Sequence, residues 1–310
     1  MNPKRAILIA GPTASGKSEV ALQVAKKIGG VIINADSMQV YEGLDILTAK
    51  PGAGVRAMVP HHLYGVKKAD EAFSVADWLV LASAAAECAW TARKTPIFVG
   101  GTGLYFKALL DGLVEIPKVP KEIRRHLRRK METEGVAALY QTLKEKDPVT
   151  ADRLDANDRQ RILRALEVYE ATGKPLSAWQ QAAQKGFLNG AEVLKICLEV
   201  DREDLEKKIR ARFQGMVSKG APEEVKTLAA RNLSPDLPIM KAIGVRPLLR
   251  HLNEEITLEE TIELVVIESR QYAKRQRTWF KGQFTGWTFL PAGVGVAREI
   301  LSLAKKTFRD

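Results

Sequence analysis

An unbroken apolar run, AILIA at residues 6–10, leads straight into glycine near the start of the chain. A run without polar alternation predicts a strand buried on both faces. The period then changes. In SEVALQVAKKIGG, Val20, Val24 and Ile28 recur at helical spacing, and Gly29-Gly30 end the helix. VIINAD, residues 31–36, predicts a second buried strand that closes on a carboxylate. Ser74 and Asp77 spell a capping box ahead of an alanine-rich helix reaching about Lys94. TPIFVGGTG supplies a third buried strand at 97–99 and a glycine turn. Strands alternating with helices in this way predict an α/β fold, with a parallel sheet covered by helices on both faces.

From about Glu115 the pattern becomes charged and helical, without a convincing strand, through about Gly190. VLKICLEV at 193–200 then returns as a buried strand, and WTFL at 287–290 predicts a last one. The expected organisation is a P-loop α/β core domain, residues 1–114 and 193–310, interrupted by a helical insertion domain at 115–192.

Composition changes this picture in one respect. The chain has 310 residues, 45% of them hydrophobic and 27% charged, which is ordinary for a globular protein. But 48 Lys and Arg face 37 Asp and Glu, giving a net charge of +11. Such an excess points to a polyanionic partner, nucleic acid or an anionic membrane surface. No apolar run approaches the ~20 residues of a membrane span. No h-region or cleavage site precedes the glycine loop, so a cytoplasmic protein is expected. Cys88 and Cys197 lie far apart in apolar surroundings and read as reduced packing residues, and the pair His61-His62 has no zinc-type spacing.

The candidate chemistry begins where the first strand ends. Gly11, Pro12, Thr13, Ala14, Ser15, Gly16, Lys17 and Ser18 fit G-x-x-x-x-G-K-[ST] between a strand and a helix. Backbone N–H groups and the helix N-terminus converge there on phosphate oxygens. Lys17 adds a point charge, and the Ser18 hydroxyl can ligate Mg²⁺. P-loop NTPases place a metal-holding Asp elsewhere in the site, yet the strand at 97–99 ends in Gly100-Gly101-Thr102. The carboxylate closes the second strand instead, at Asp36. In an open parallel sheet both turns reach the same rim. Asp36 therefore reads as a general base facing a second substrate, or as a plain cap of its turn.

Three basic stripes accompany the loop. In KEIRRHLRRK, Arg124 and Arg128 share a helix face, as do Arg125 and Arg129. Arg161 and Arg164 lie one turn apart, with Ile162 and Leu166 on a packed face. Arg270, Lys274, Arg277 and Lys281 fall at i, i+4, i+7 and i+11. Together with the net charge they suggest a footprint on a phosphate backbone.

GPTASGKS, INADSMQVYEGLDILTAKP, PHHLYGV, SVADW, VGGTGLYFKALLDGL, ANDRQRILRALEVYEATGKPLS and YAKRQRTWF occur in that order. In this combination the chain resembles the bacterial tRNA dimethylallyltransferase family, from Ala6 to about Phe280. The resemblance implies a P-loop kinase-like fold in which the loop holds the diphosphate of dimethylallyl diphosphate. It also implies transfer of the dimethylallyl group to the N6 amine of the adenosine next to the anticodon, tRNA position 37. The products would be N6-isopentenyladenosine and diphosphate, with Mg²⁺ as cofactor. By the same resemblance Asp36 takes the N6 proton, Lys17 and Arg212 stabilise the leaving diphosphate, and Thr102 lies beside the adenine. Ser37, Met38 and Gln39 match the segment that meets the tRNA bases, Gln39 reading a base edge. Arg124 and the run Gln160, Arg161, Ile162, Leu163, Arg164 match tRNA-contact positions. The family pattern is not followed in MKAIGVRPL, where Val245 and Pro247 stand at positions usually aromatic and acidic or amide.

The residues alone leave other readings open: a P-loop small-molecule kinase, a non-catalytic RNA-binding module, or a prenyltransferase for free adenylate. The large basic insertion disfavours the last, since a mononucleotide acceptor does not need it. A monomer with no membrane association is expected.

Overall fold

β1 (Arg5–Ala10), β2 (Val31–Asn34), β3 (His61–His62), β4 (Pro96–Gly100), β5 (Glu192–Glu199) and β6 (Thr288–Pro291) form one sheet in the order β3-β2-β4-β1-β5-β6. Every adjacent pair is parallel. The computed structural model describes residues 3–181 and 185–308. Ala6 to Ala10 of β1 are fully buried, as an unbroken apolar run in a central strand requires. Ala6, Leu8 and Ala10 join the core on one face of the sheet, while Ile7 and Ile9 join that on the other. On the second face pack Val20, Ala21, Val24 and Ala25 of the helix Lys17–Ile28, with Val296, Ala297, Ile300 and Ala304 of the helix Val296–Thr307. The first face carries Val75–Thr91, Gly103–Asp111 and the long Leu258–Gln283 helix.

The local signals read from the sequence appear where their chemistry puts them. Gly29 ends its helix in the left-handed region, φ 64°, with its N–H on the Ala25 carbonyl. Ser74 and Asp77 form the reciprocal capping box. β3 is a difference: its two residues pair with Ile32 and Ile33 of β2, and no periodicity read from the sequence announces it. Val245 and Pro247, where the chain departs from the family pattern, are both buried in the helix Val245–Leu252.

Residues 3–110 and 187–308 belong to one compact unit, and 111–186 to a second with its own core. In the first, Phe187 stacks on Trp90, and the Leu188 N–H reaches the Leu109 carbonyl. The second unit holds the helices Lys121–Lys146, Pro148–Ala151, Arg159–Thr172 and Leu176–Gln180, and no strand among its described residues. Lys121–Lys146 turns at Gly135, φ 81° and ψ 170°, a conformation that favours glycine. Leu127, Met131, Leu139, Leu143, Ile162 and Leu166 fill its core. Among the described residues no helix is long and apolar enough to cross a membrane.

Candidate active site

Because all six strands run parallel, the turns after β1, β2 and β4 leave from one edge of the sheet. The first is the glycine loop. Gly16, φ 74°, lies in the left-handed region immediately before the helix Lys17–Ile28, which turns the helix N-terminus toward the loop. The Ser15 hydroxyl is buried and has no hydrogen-bond partner among the described residues. A buried hydroxyl with an unspent donor, beside the backbone amides of a helix N-terminus, is a donor set that suits an anion. Lys17 Nζ donates to the Pro12 carbonyl at 3.1 Å, and Arg212 Nη1 approaches Thr13 Oγ1 at 3.4 Å. Arg212, 199 residues away in sequence, thus arrives on the helix Arg202–Ser218.

The cationic side of the loop is poorly solvated. Burial lowers the Lys17 pKa to about 8; the Asp36 charge opposes this, and Arg212 adds to it. Burial also lowers Arg212, again opposed by Asp36. Cys197, beside them on β5, is pushed up to about 12, chiefly by burial, and is an inert thiol.

The second and third turns are locked together. Ala35 N–H donates to the Val99 carbonyl at 2.8 Å, and Thr102 N–H donates to the Ala35 carbonyl at 3.1 Å. The Ser37 N–H donates to Thr102 Oγ1 at 2.9 Å. Asp36 is held from both sides: its N–H donates to Asn34 Oδ1, and its Oδ1 accepts the Met38 N–H, each at 2.9 Å. The carboxylate thus caps its turn through one oxygen, and Oδ2 makes no hydrogen bond among the described residues. Burial, then the Asp36 charge, raises the phenols of Tyr64, Tyr105 and Tyr272 above their ordinary value, keeping them neutral beside it.

Some expected residues are occupied elsewhere. Gln39 Nε2 donates to the carbonyls of Thr48 (2.8 Å) and Ala49 (3.2 Å), so its amide closes its own loop and is not free for a bidentate base contact. Ile162 is fully buried in the second unit's core, so its side chain offers no surface to a tRNA. Met38 is half-buried against the sheet's core, and Ser18 is exposed. In the second unit, Glu167, 9% exposed, stands between Arg124 (3.8 Å) and Arg164 (3.9 Å). Arg161 pairs with Asp158 at 3.5 Å, and Gln160 is exposed.

Sequence reasoning passed over Gln276. It is buried on the helix Leu258–Gln283, where its Oε1 accepts the Thr13 N–H (2.9 Å) and its Nε2 donates to the Gly101 carbonyl (2.8 Å). Its signal was legible: in the buried stripe Ile262, Val265, Ser269, Ala273, Gln276, Phe280 it is the one amide. The flank of that helix next to the buried stripe carries the predicted cations. Arg270, Lys274 and Arg277 rim a groove of about 420 Å³, floored by Val200, Leu205 and Ile267, that reaches the loop at Pro12.

The family model for IPP transferase matches residues 39–283. The chain belongs to that family. A second model, isopentenyl transferase, matches residues 4–56, which include the loop. The tRNA dimethylallyltransferase of Nitrobacter hamburgensis is 50% identical over 278 residues, covering 90% of this chain and 88% of that one. The solved tRNA isopentenylpyrophosphate transferase of Bacillus halodurans is 34% identical, with a TM-score of 0.69 over 98% of this chain and 95% of that one. A eukaryotic dimethylallyltransferase solved acting on tRNA is 30% identical, with a TM-score of 0.80 over 94% of this chain and 74% of that one. The IPP transferase fold thus extends over both units of the chain.

Proposed function

We propose that the protein is a tRNA dimethylallyltransferase, moving the dimethylallyl group of dimethylallyl diphosphate onto the N6 amine of adenosine 37 beside the anticodon. The observation that carries this reading is a pairing on one sheet edge: an anion cradle with an orphaned Ser15 hydroxyl, and a turn presenting the Asp36 carboxylate. Membership of the IPP transferase family supports it.

The adenine amine is a weak nucleophile, because its lone pair is delocalised into the ring. As the N6–C1 bond forms and the C1–O bond breaks, Asp36 accepts an N6 proton. The departing diphosphate gains charge, and the loop amides at the helix N-terminus, Gly16, Lys17 and Ser18, with the Lys17 ammonium and the Arg212 guanidinium, stabilise it. Thr102, fixed against Ser37, borders the adenine. The described residues contain no cluster of acidic, His or Cys ligands for a metal. They fit Mg²⁺ nonetheless, since Mg²⁺ characteristically takes one or two protein oxygens beside substrate phosphates and water; Ser18 is the residue that would hold it. When bound, it neutralises charge on the diphosphate. The target base must leave its stack to reach a site on a sheet edge. In the second unit Arg124, Gln160, Arg161 and Arg164 take phosphate and loop contacts. The same reading makes the enzyme a cytoplasmic monomer.

The test is a transfer assay with labelled dimethylallyl diphosphate and Mg²⁺, offering unmodified tRNA or AMP, with labelled ATP in parallel. Label entering tRNA alone is expected. Label in AMP would remove the polymer from the reading, and consumption of ATP alone would replace it by a kinase.

Two further results follow from the geometry. A bound diphosphate favours the charged form of Lys17, whose free pKa is about 8. Binding therefore takes up a proton at alkaline pH. The affinity for inorganic diphosphate should be level below pH 8 with respect to this group. Above it, affinity should fall by up to about tenfold per pH unit. Lys17→Arg, exposed to the same ligand ionisation, supplies the baseline in calorimetry; identical pH profiles for the two proteins would refute the coupling. Second, Arg124→Ala should raise the KM for tRNA and lower the slope of log K against log salt by about 0.7–0.9, one phosphate contact. An unchanged slope would retire Arg124 from the interface.

A further inference from the structure

The structure assigns to Gln276 the role of a positioning residue that sets the spacing between the diphosphate loop and the turn carrying Thr102. This rests on the proposed function, in which those two elements serve the leaving group and the acceptor.

Gln276 is 6% exposed, and both ends of its amide are committed. One end takes the Thr13 N–H and the other the Gly101 carbonyl, so a single planar group spans the turns after β1 and β4. Neither partner belongs to a regular ladder; without Gln276 each is a backbone group left unpaired beside the site. The fit is tight on the β4 side. A Cβ on Gly101 would stand 2.2 Å from Gln276 Nε2, and a Cβ on Gly103 2.1 Å from the Trp279 ring. Gly101 and Gly103 thus admit two side chains from consecutive turns of one helix, with Thr102 held between them. On the loop side, Thr13 is also where Arg212 docks, through Oγ1 at 3.4 Å. One amide therefore governs the register of Thr13, with its arginine, against Thr102, with Ser37 and the Asp36 turn behind it.

Catalysis by positioning is sensitive to displacements of about 1 Å, which can cost about 10²-fold in rate. Removal of Gln276 should accordingly appear in kcat, while the tRNA KM stays within about threefold, because its buried amide is spent on Thr13 and Gly101 and faces no tRNA, unlike the exposed Arg270 and Lys274 of the same helix.

Gln276→Glu gives the sharpest test. The ionised carboxylate still accepts from Thr13 but points a second acceptor at the Gly101 carbonyl. The protonated carboxyl restores the donor and reproduces the glutamine pattern. Burial favours the protonated form at this position, and Asp36 reinforces it. Lys17 and Arg212 at the loop, and Lys274, Arg275 and Arg277 on the same helix, oppose it. We expect kcat for tRNA prenylation to fall about 10–100-fold at pH 8.5, and the ratio of variant to wild-type rate to climb severalfold as pH drops to 6. Thermal unfolding and the binding of inorganic diphosphate identify the folded variant. If Gln276→Glu fails to fold, Gln276→Met, equal in length and unable to hydrogen-bond, should show the same kcat loss at unchanged tRNA KM. A folded variant with wild-type kcat, or a Gln276→Glu rate ratio that is flat with pH, would overturn the assignment. Wild-type enzyme that transfers no label to tRNA would instead overturn the functional reading, which separates the two failures.

Discussion

Asp36→Ala is expected to slow prenyl transfer by about 10²–10⁴-fold, the range of a lost general base, with tRNA affinity changed by no more than a few-fold. The structure gives this residue two duties that alanine removes together. Oδ1 caps the Met38 N–H, a local turn bond, while Oδ2 stays without a hydrogen bond. Asp36→Asn separates them, because its carbonyl oxygen can still accept from Met38 while the amide cannot take a proton. If Asp36 is the base, the asparagine variant is nearly as slow as the alanine one in single-turnover assays. An asparagine variant running close to the wild-type rate would reduce Asp36 to a turn cap. A side effect is also expected. Asp36 raises the Lys17 pKa, so either substitution lets that pKa fall below about 8 and weakens diphosphate binding at alkaline pH. Saturating dimethylallyl diphosphate at pH 7 keeps this second effect out of the measured rate.

Gly100→Ala should be among the most damaging one-methyl changes in the protein. Its Cβ would lie 2.0 Å from the Ala35 carbonyl oxygen and 2.1 Å from the carbonyl carbon, and both are backbone atoms. A side chain could swing aside; these atoms are tied by the Ala35–Val99 and Thr102–Ala35 hydrogen bonds. Relief requires the ends of β2 and β4 to part, which displaces Asp36 and Thr102 at once. Overpacking typically costs about 1–3 kcal/mol where side chains can shift, and here a loss of about 3 kcal/mol or more is expected in urea unfolding, together with loss of transfer. Gly282→Ala is the matched control. It lies in the helix Leu258–Gln283 with nothing within 4 Å of its Cβ, so alanine should leave stability unchanged or raise it by up to about 1 kcal/mol. Equal urea midpoints for the Gly100 variant and wild type would mean that the strand ends separate freely, and the rigid rim described above would fall.

Legibility in the sequence tracked locality. The strand before the loop, the loop itself, the capping box at Ser74 and the change of texture near Glu115 are carried by neighbouring residues, and the physics of each acts over one or two turns. β3 escaped because two residues have no period to read. The insertion's edges, read at 115 and 192, fall in the structure at 111 and 186, since Phe187 and Leu188 are claimed by Trp90 and Leu109 of the other unit. Gln39 could be read as a base-recognising amide only until the carbonyls of Thr48 and Ala49 were seen to occupy it.

The sequence by itself determined the α/β class, the glycine loop between the first strand and its helix, the basic character and, through the order of its blocks, the family. Those follow from hydrophobic period, from the conformational needs of glycine and from charge, all written along the chain. Tertiary structure decided how the distant groups of the site meet, and it alone brought in Gln276; Arg212 is assigned to the diphosphate by the resemblance. Arg212 meets Thr13 across 199 residues, and Gln276 meets it across 263. Only the tertiary structure shows what Gly100 is needed for, because the atoms that forbid its side chain belong to Ala35, just past the end of β2. A buried amide or a missing methyl carries no sign of its partner until folding removes water and leaves that partner as the only one in reach.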